Sequence, residues 1–219
     1  MGEMFFRRGN GTPRSYVSDG LVANFDGYDD IVSNRWDSKL NGHYFTLTNV
    51  TKNTSRNCMT FPANNASAVL GSNINLGTDM TIQMVMSMQT SGQSGRILEG
   101  NPNSMYIEGS VGSNQNGGYA RIDINTNTPA DVRLEYAALA NVPITLTFVK
   151  ANGVGWKVYI NNSEVGVVNN HINQIFNNIA NIPTAGNVRY YHSIRLYNKA
   201  LSRDEVMRNE LVDRLRFPI

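Results

Sequence analysis

One cysteine, Cys58, is all that this 219-residue chain carries, so no intrachain disulfide can brace it. The fold must rest on burial and hydrogen bonding, and the thiol itself reads as a small buried hydrophobe in a strand. Charge is also scarce. Charged side chains make up 16% of the chain, against about 25% in an ordinary globular protein. A net charge of +2 is too small to draw it to nucleic acid or to a membrane surface. No apolar run approaches the ~18–20 residues of a membrane span. Met4, Phe5 and Phe6 are followed at once by Arg7 and Arg8, so the ~7–15 apolar residues of a signal peptide are missing. Linkers, charge blocks and repeats of fixed period are absent, which predicts one undivided domain. Nor is there a Gly-rich phosphate loop, a nucleophile elbow or an HExxH helix. The three histidines, His43, His171 and His192, have no metal-ligand spacing.

What the chain has in abundance is asparagine. Its 30 asparagines sit with glycine and threonine between apolar runs, a pattern of many turns and of loops rich in neutral hydrogen-bonding groups. Apolar-alternating segments recur at roughly 20–26, 43–49, 57–61, 67–71, 80–88, 95–99, 104–109, 119–125, 131–136, 143–150, 154–160, 164–168 and 187–197. Short strands at this spacing predict an all-β chain, built as a two-sheet antiparallel sandwich or jelly roll. Ile144, Leu146 and Phe148 point one way, Trp156, Val158 and Ile160 share a face, and Asn152-Gly153 between them marks a hairpin. With Ile194 and Leu196 these residues form the expected core. Met80, Met84, Met86 and Met88 share a strand face with Ile82, which reads as core packing rather than a thioether metal site. Ile172, Ile175, Phe176 and Ile179 fit the i, i+3, i+4, i+7 spacing of a short helix.

The C-terminal end carries the most specific pattern. Val188, Tyr190, His192, Ile194 and Leu196 alternate with Arg189, Tyr191, Ser193 and Arg195, giving a half-buried strand with His192 on its apolar face as a hydrogen-bonded core histidine. Ser202 then stands three residues before Glu205 in a capping box, with Leu201 and Val206 at the spacing of a hydrophobic staple. Met207, Leu211 and Leu215 form one stripe of the helix that follows, expected to dock on the sandwich. The segment Ser193–Glu205, SIRLYNKALSRDE, resembles the closing signature of laminin-G-like, concanavalin A-type jelly-roll domains, I-R-[IL]-Y-N-[RK]-A-L-[ST]-x-x-E. Its continuation Asn209–Phe217 resembles the form found in phage and gut-bacterial surface proteins. In the right order, residues 19–26, Trp36–Gly42, Met80–Met88 and Val154–Glu164 are similar to other strands of that family, although Ser38-Lys39-Leu40 departs from its turn. The resemblance covers roughly residues 19–217 and implies a concanavalin A-like sandwich with a short C-terminal helix. It does not bring a function with it, because this fold hosts sugar binders, enzymes, adhesins and structural proteins.

Glycoside hydrolysis on such a sandwich needs a pair of carboxyl groups on one strand face. The family's E-x-D-x-E pattern is missing, and Arg121-Ile122-Asp123-Ile124-Asn125 supplies a single carboxylate, so a non-enzymatic protein is expected. Calcium, which many laminin-G-like domains hold at a sheet edge, is the one cofactor left open; Asp26, Asp29, Asp30 and Asp79 are the loop carboxylates for it. Tyr28, Tyr44, Tyr106, Tyr119 and Tyr191 are either sugar-stacking platforms or packing residues. Residues 1–18 read as a polar arm ahead of a 19–219 domain, and such a terminus is ordered only when something holds it. Phe5, Phe6, Arg7, Arg8 and Arg14 are the expected attachment residues, with neighbouring virion subunits as partners. The reading is therefore a phage virion-surface protein made in the host cytoplasm, of capsid decoration or head-fibre type, with glycan binding and self-association left open. A tail or cell-surface carbohydrate-binding adhesin is the alternative, and a hydrolase stands behind both.

Overall fold

The computed structural model describes residues 15–89, 95–100, 105–113, 117–124, 132–136, 141–168, 179–183 and 187–217. Two antiparallel sheets hold more than half of them. The first contains β1 (Leu21–Asp26), β4 (Thr51–Asn53), β5 (Cys58–Phe61), β7 (Met80–Met88), β12 (Ile144–Ala151), β13 (Gly155–Ile160), β14 (Ser163–Val168) and β16 (Arg189–Tyr197). Its order is β14-β13-β12-β7-β16-β5-β4, and β1 pairs with the second half of β16 beside β5. The second contains β2 (Arg35–Asp37), β3 (Tyr44–Thr48), β6 (Ser67–Ile74), β8 (Gly95–Gly100), β9 (Met105–Ser113), β10 (Gly117–Ile124), β11 (Val132–Tyr136) and β15 (Ile179–Ile182), in the order β11-β10-β9-β8-β15-β6-β3-β2. One helix, α1 (Arg203–Arg216), follows β16. The all-β sandwich with a C-terminal helix is thus the fold of this chain.

The eight expected core residues are all buried, none more than 6% exposed. They lie in one apolar cluster with the core face of β7, Met80, Ile82, Met84, Met86 and Met88, and with Phe25, Trp36 and Phe45 from the other end of the chain. Those three rings pack with centroids 4.5–6.1 Å apart, and the Trp36 indole donates to the Asp26 carbonyl at 3.0 Å. Asparagine's role lies in the turns. Eight of the nine non-glycine residues with positive φ among the described residues are asparagines. Asn161 and Asn162, at φ +46° and +68°, make the two-residue connection from β13 to β14 that matches strand twist. Gly153, at φ +73°, turns the expected β12–β13 hairpin.

Three local readings are corrected. The strand alternation breaks inside β16, where the register shifts between Tyr191 and Ser193 and His192 is the extra residue of a β-bulge. Parity inverts across it: Tyr191 is fully buried in the core, its hydroxyl donating to the Ile97 carbonyl at 2.8 Å, and Ile194 and Leu196 continue that face. The capping box and staple form as expected, but α1 docks by another face. Val206, Asn209, Glu210, Val212 and Asp213 are buried, while Leu211 is 43% and Leu215 64% exposed. Finally, Ile179 begins strand β15 rather than ending a helix; Ile172, Ile175 and Phe176 lie outside the described residues.

Candidate functional site

Alpha-helix α1 covers part of the outer face of the first sheet through a polar contact layer. Arg195, fully buried, reaches Gln83 at 3.2 Å, Ser193 at 3.1 Å and the Asp213 carboxylate, and stacks over the Tyr16 ring at 4.0 Å. Burial alone would push the Asp213 carboxyl up; the guanidinium beside it does not give up its proton, so the pair stays ionic. Tyr16 donates to Asp213 at 2.9 Å, the Val17 N–H donates to Asn209 at 2.8 Å, and Asn209 donates to the Tyr197 hydroxyl at 2.9 Å. Residues 15–17 of the N-terminal segment are therefore part of the folded body.

Next to Phe217, where the helix ends, the same outer face opens into a cleft of about 330 Å³ lined by Arg56, Ser87, Asn141, Val142, Pro143 and His192. Each wall has a local cause. Ser87 stands on β7 with the parity opposite to Met86 and Met88, and so faces away from the core. The bulge places His192 beside it, with the Phe217 ring 5.4 Å away. Asn57, at φ +50°, closes the β4–β5 loop that carries Arg56. Asn141, at φ +63°, is pinned by its N–H donating to the Met88 carbonyl at 2.8 Å. Gly27 locks the rear of the loop and bulge: it donates to the His192 carbonyl at 2.6 Å, and a Cβ there would lie 2.3 Å from the Asn57 carbonyl oxygen.

Two buried polar side chains in this cleft have unused hydrogen-bonding capacity. Ser87 is 2% and His192 1% exposed, yet neither the Ser87 hydroxyl nor either ring nitrogen of His192 has a partner. Leaving such groups unmade costs about 1–3 kcal/mol each, which a ligand carrying hydroxyls relieves. Burial pushes the His192 pKa down to about 4, although the backbone of Arg56 and Asn57 lies near enough to favour the charged ring. At neutral pH the imidazole is uncharged, with one donor and one acceptor to offer. Ser87 and His192 are not bonded to each other and no carboxylate among the described residues orients the ring, so the two do not form a nucleophile–base pair. The expectation of a core histidine is corrected in its placing: His192 lies on the outer side of the first sheet.

The other candidate residues fall elsewhere. Asp26 takes Lys39 at 2.9 Å and Arg216 at 2.5 Å, and Asp29 takes Lys39 at 3.4 Å. Burial opposes ionisation of Asp26, but the bonds from Lys39, the Tyr28 N–H and Arg216 outweigh it and hold the carboxyl below the usual range. Asp79 accepts from the Asn152 N–H at 2.7 Å, away from this group, and Asp30 is exposed. Protein cations thus occupy Asp26 and Asp29 of this set. Among the described residues no three His, Cys, Asp or Glu side chains gather as a metal cluster. Tyr191 is packing. Tyr44 lies against Gly71 with the Arg35 guanidinium 3.6 Å from its ring centre, so its surface is taken. Tyr28 is 44% exposed and tied by its hydroxyl to the Arg216 carbonyl at 2.6 Å. Cys58 is buried in β5, which pushes its thiol up to about 11 and makes it inert. Phe5, Phe6, Arg7, Arg8 and Arg14 lie outside the described residues, as do the side chains of Tyr106, Tyr119 and Asp123.

No protein-family model and no curated protein sequence matches the chain. Solved structures do. The sialidase of Trypanosoma rangeli, in complex with sialic acid, superposes with a TM-score of 0.65 at 12% identity over 90% of this chain. The binding domain of botulinum neurotoxin serotype D/C gives 0.66 at 13% identity over 90%, and a receptor binding domain 0.69 at 15% over 91%. The likeness is one of fold. This chain spans 33% of the sialidase chain and 52% of each of the two binding domains.

Proposed function

We propose that this chain is a non-enzymatic recognition module of a phage virion, a capsid decoration or head-fibre protein whose laminin-G-like sandwich presents the Ser87–His192 cleft to host or mucosal glycans. The observation that carries the recognition role is the pair of buried, unpartnered polar side chains in an open cleft with apolar Val142 and Pro143 beside them. Sugars are bound by this mixture: neutral hydrogen-bonding groups for hydroxyls and an apolar surface for C–H faces. A non-enzymatic role is supported by the use the chain makes of its acids. Asp26, Asp29, Glu205, Glu210 and Asp213 are spent on ion pairs that hold loops and helix. The virion setting is supported by the C-terminal sequence resemblance to phage-type surface proteins. A tail or cell-surface adhesin is the second reading, favoured by fold neighbours that are themselves binding domains, one of them a receptor binding domain; immunogold labelling of head against tail separates the two.

Incubating the full chain with β-glucans and host-type oligosaccharides, then analysing both binding and products, tests the recognition reading. Retention of a glycan without cleavage is the expected result. Turnover that disappears on Asp123→Asn would replace the binding module with a hydrolase.

A further inference from the structure

The charge of the cleft is one-sided. Among the six described residues that line it, Arg56 is the only charged one at neutral pH and none is an acid. Arg35, Arg195, Arg214 and Arg216 each sit on a carboxylate, whereas the exposed Arg56 guanidinium meets no acid among the described residues and lies over the face of Tyr190, 4.7 Å from the ring centre. Tyr190 is paired across the strands with Ser87, which keeps the guanidinium beside the buried hydroxyl. A planar fork of donors, held by an aromatic face and left without an internal acid, fits a planar carboxylate bidentately.

We propose that the cleft selects an acidic sugar, its carboxylate on Arg56 and its ring hydroxyls on Ser87 and His192. This rests on the glycan-binding reading above and narrows it to one ligand class. Val142 and Pro143, on the side of Asn141, offer the apolar surface for the ring. The volume of about 330 Å³ lies at the small end of ligand sites, enough for a terminal monosaccharide rather than a buried chain. Uncharged His192 adds no second cation, so one negative charge is matched by one positive.

The test uses the full chain and three versions of one oligosaccharide, ending in a uronic or sialic acid, in its carboxyl-reduced alcohol and in a sulfated sugar. Calorimetric titration should show the carboxylate form binding about tenfold or more tightly than the alcohol. Arg56→Gln should remove that preference without changing the melting temperature. Arg203→Gln, the same charge change on an exposed helix position, should keep it. Ser87→Ala should weaken the acid and the alcohol alike. Equal binding of acid and alcohol, full affinity in Arg56→Gln, or binding of the sulfated form alone would overturn the acidic-sugar assignment and leave glycan recognition standing. If no sugar binds in any form, both readings fall.

Discussion

At the scale of single residues, His192 links structure to solution conditions. Its ordinary pKa is near 6.5 and its folded value about 4, so the unfolded chain takes up the proton first as pH falls. Stability should be flat above about pH 6.5 and drop by roughly 3 kcal/mol on the way to pH 4. Asp26 and Glu205, whose carboxyls are held low by their partners, lose their contribution only at the bottom of that range or below. Urea titrations across pH 7 to 4 on the wild-type chain and on His192→Gln should separate the two, the variant lacking most of the loss above pH 4.5. A wild-type curve that is flat to pH 4.5 would mean the imidazole is solvated and not buried. This residue was also the least legible in the sequence. An unbroken alternation through 188–196 puts His192 and Ile194 on one face, and nothing in the residue types announces the bulge between them. Arg56, Ser87 and Asn141 carry no motif either; they meet only because non-adjacent strands and αL asparagines place them there.

The strands themselves were readable because side-chain parity is local. Every expected apolar segment coincides with a strand, and the ones missed, β2, β4 and β15, are only three or four residues long. The helix was readable at its start, where Ser202 and Glu205 cap each other, but not in its facing. An apolar stripe of Met207, Leu211 and Leu215 suggests the buried side, yet the sheet below offers Gln83, Arg195 and Tyr197, and polar Asn209 and Asp213 meet them. Two substitutions therefore have opposite ranks from what hydropathy implies. Leu215→Gln should change stability by no more than about 0.5 kcal/mol. Asp213→Asn, nearly isosteric, should cost about 3–5 kcal/mol, because Arg195 is left charged and buried without its counterion. Denaturant midpoints measured on both variants decide between the polar and the apolar docking face.

For the whole molecule, Tyr16 and Val17 count with the folded body rather than with an arm. An arm ending at 18 would include Tyr16 and Val17, but Tyr16 bonds Asp213 and receives Arg216 at 3.0 Å, while Val17 packs with Leu201 and Val206. Ser15 is held by Arg208 through its carbonyl at 3.1 Å. Deleting residues 1–14 keeps all of these contacts. Deleting 1–18 should cost at least about 2 kcal/mol more than that, since it strips partners from a buried network. Equal stability of the two truncations would show the Tyr16 layer to be dispensable. The shorter deletion then isolates the attachment reading from the fold. Within the proposed virion setting, Phe5 and Phe6 serve as apolar anchors and Arg7, Arg8 and Arg14 as their charged border, a composition in which losing one anchor costs about 2–4 kcal/mol of binding. Particles grown with the 1–14 deletion should lack the protein on gels of purified virions, although the isolated chain is folded. Normal copy number from that folded truncation would move the anchor onto the sandwich, and the exposed stripe of Leu211 and Leu215 would be the next surface to mutate.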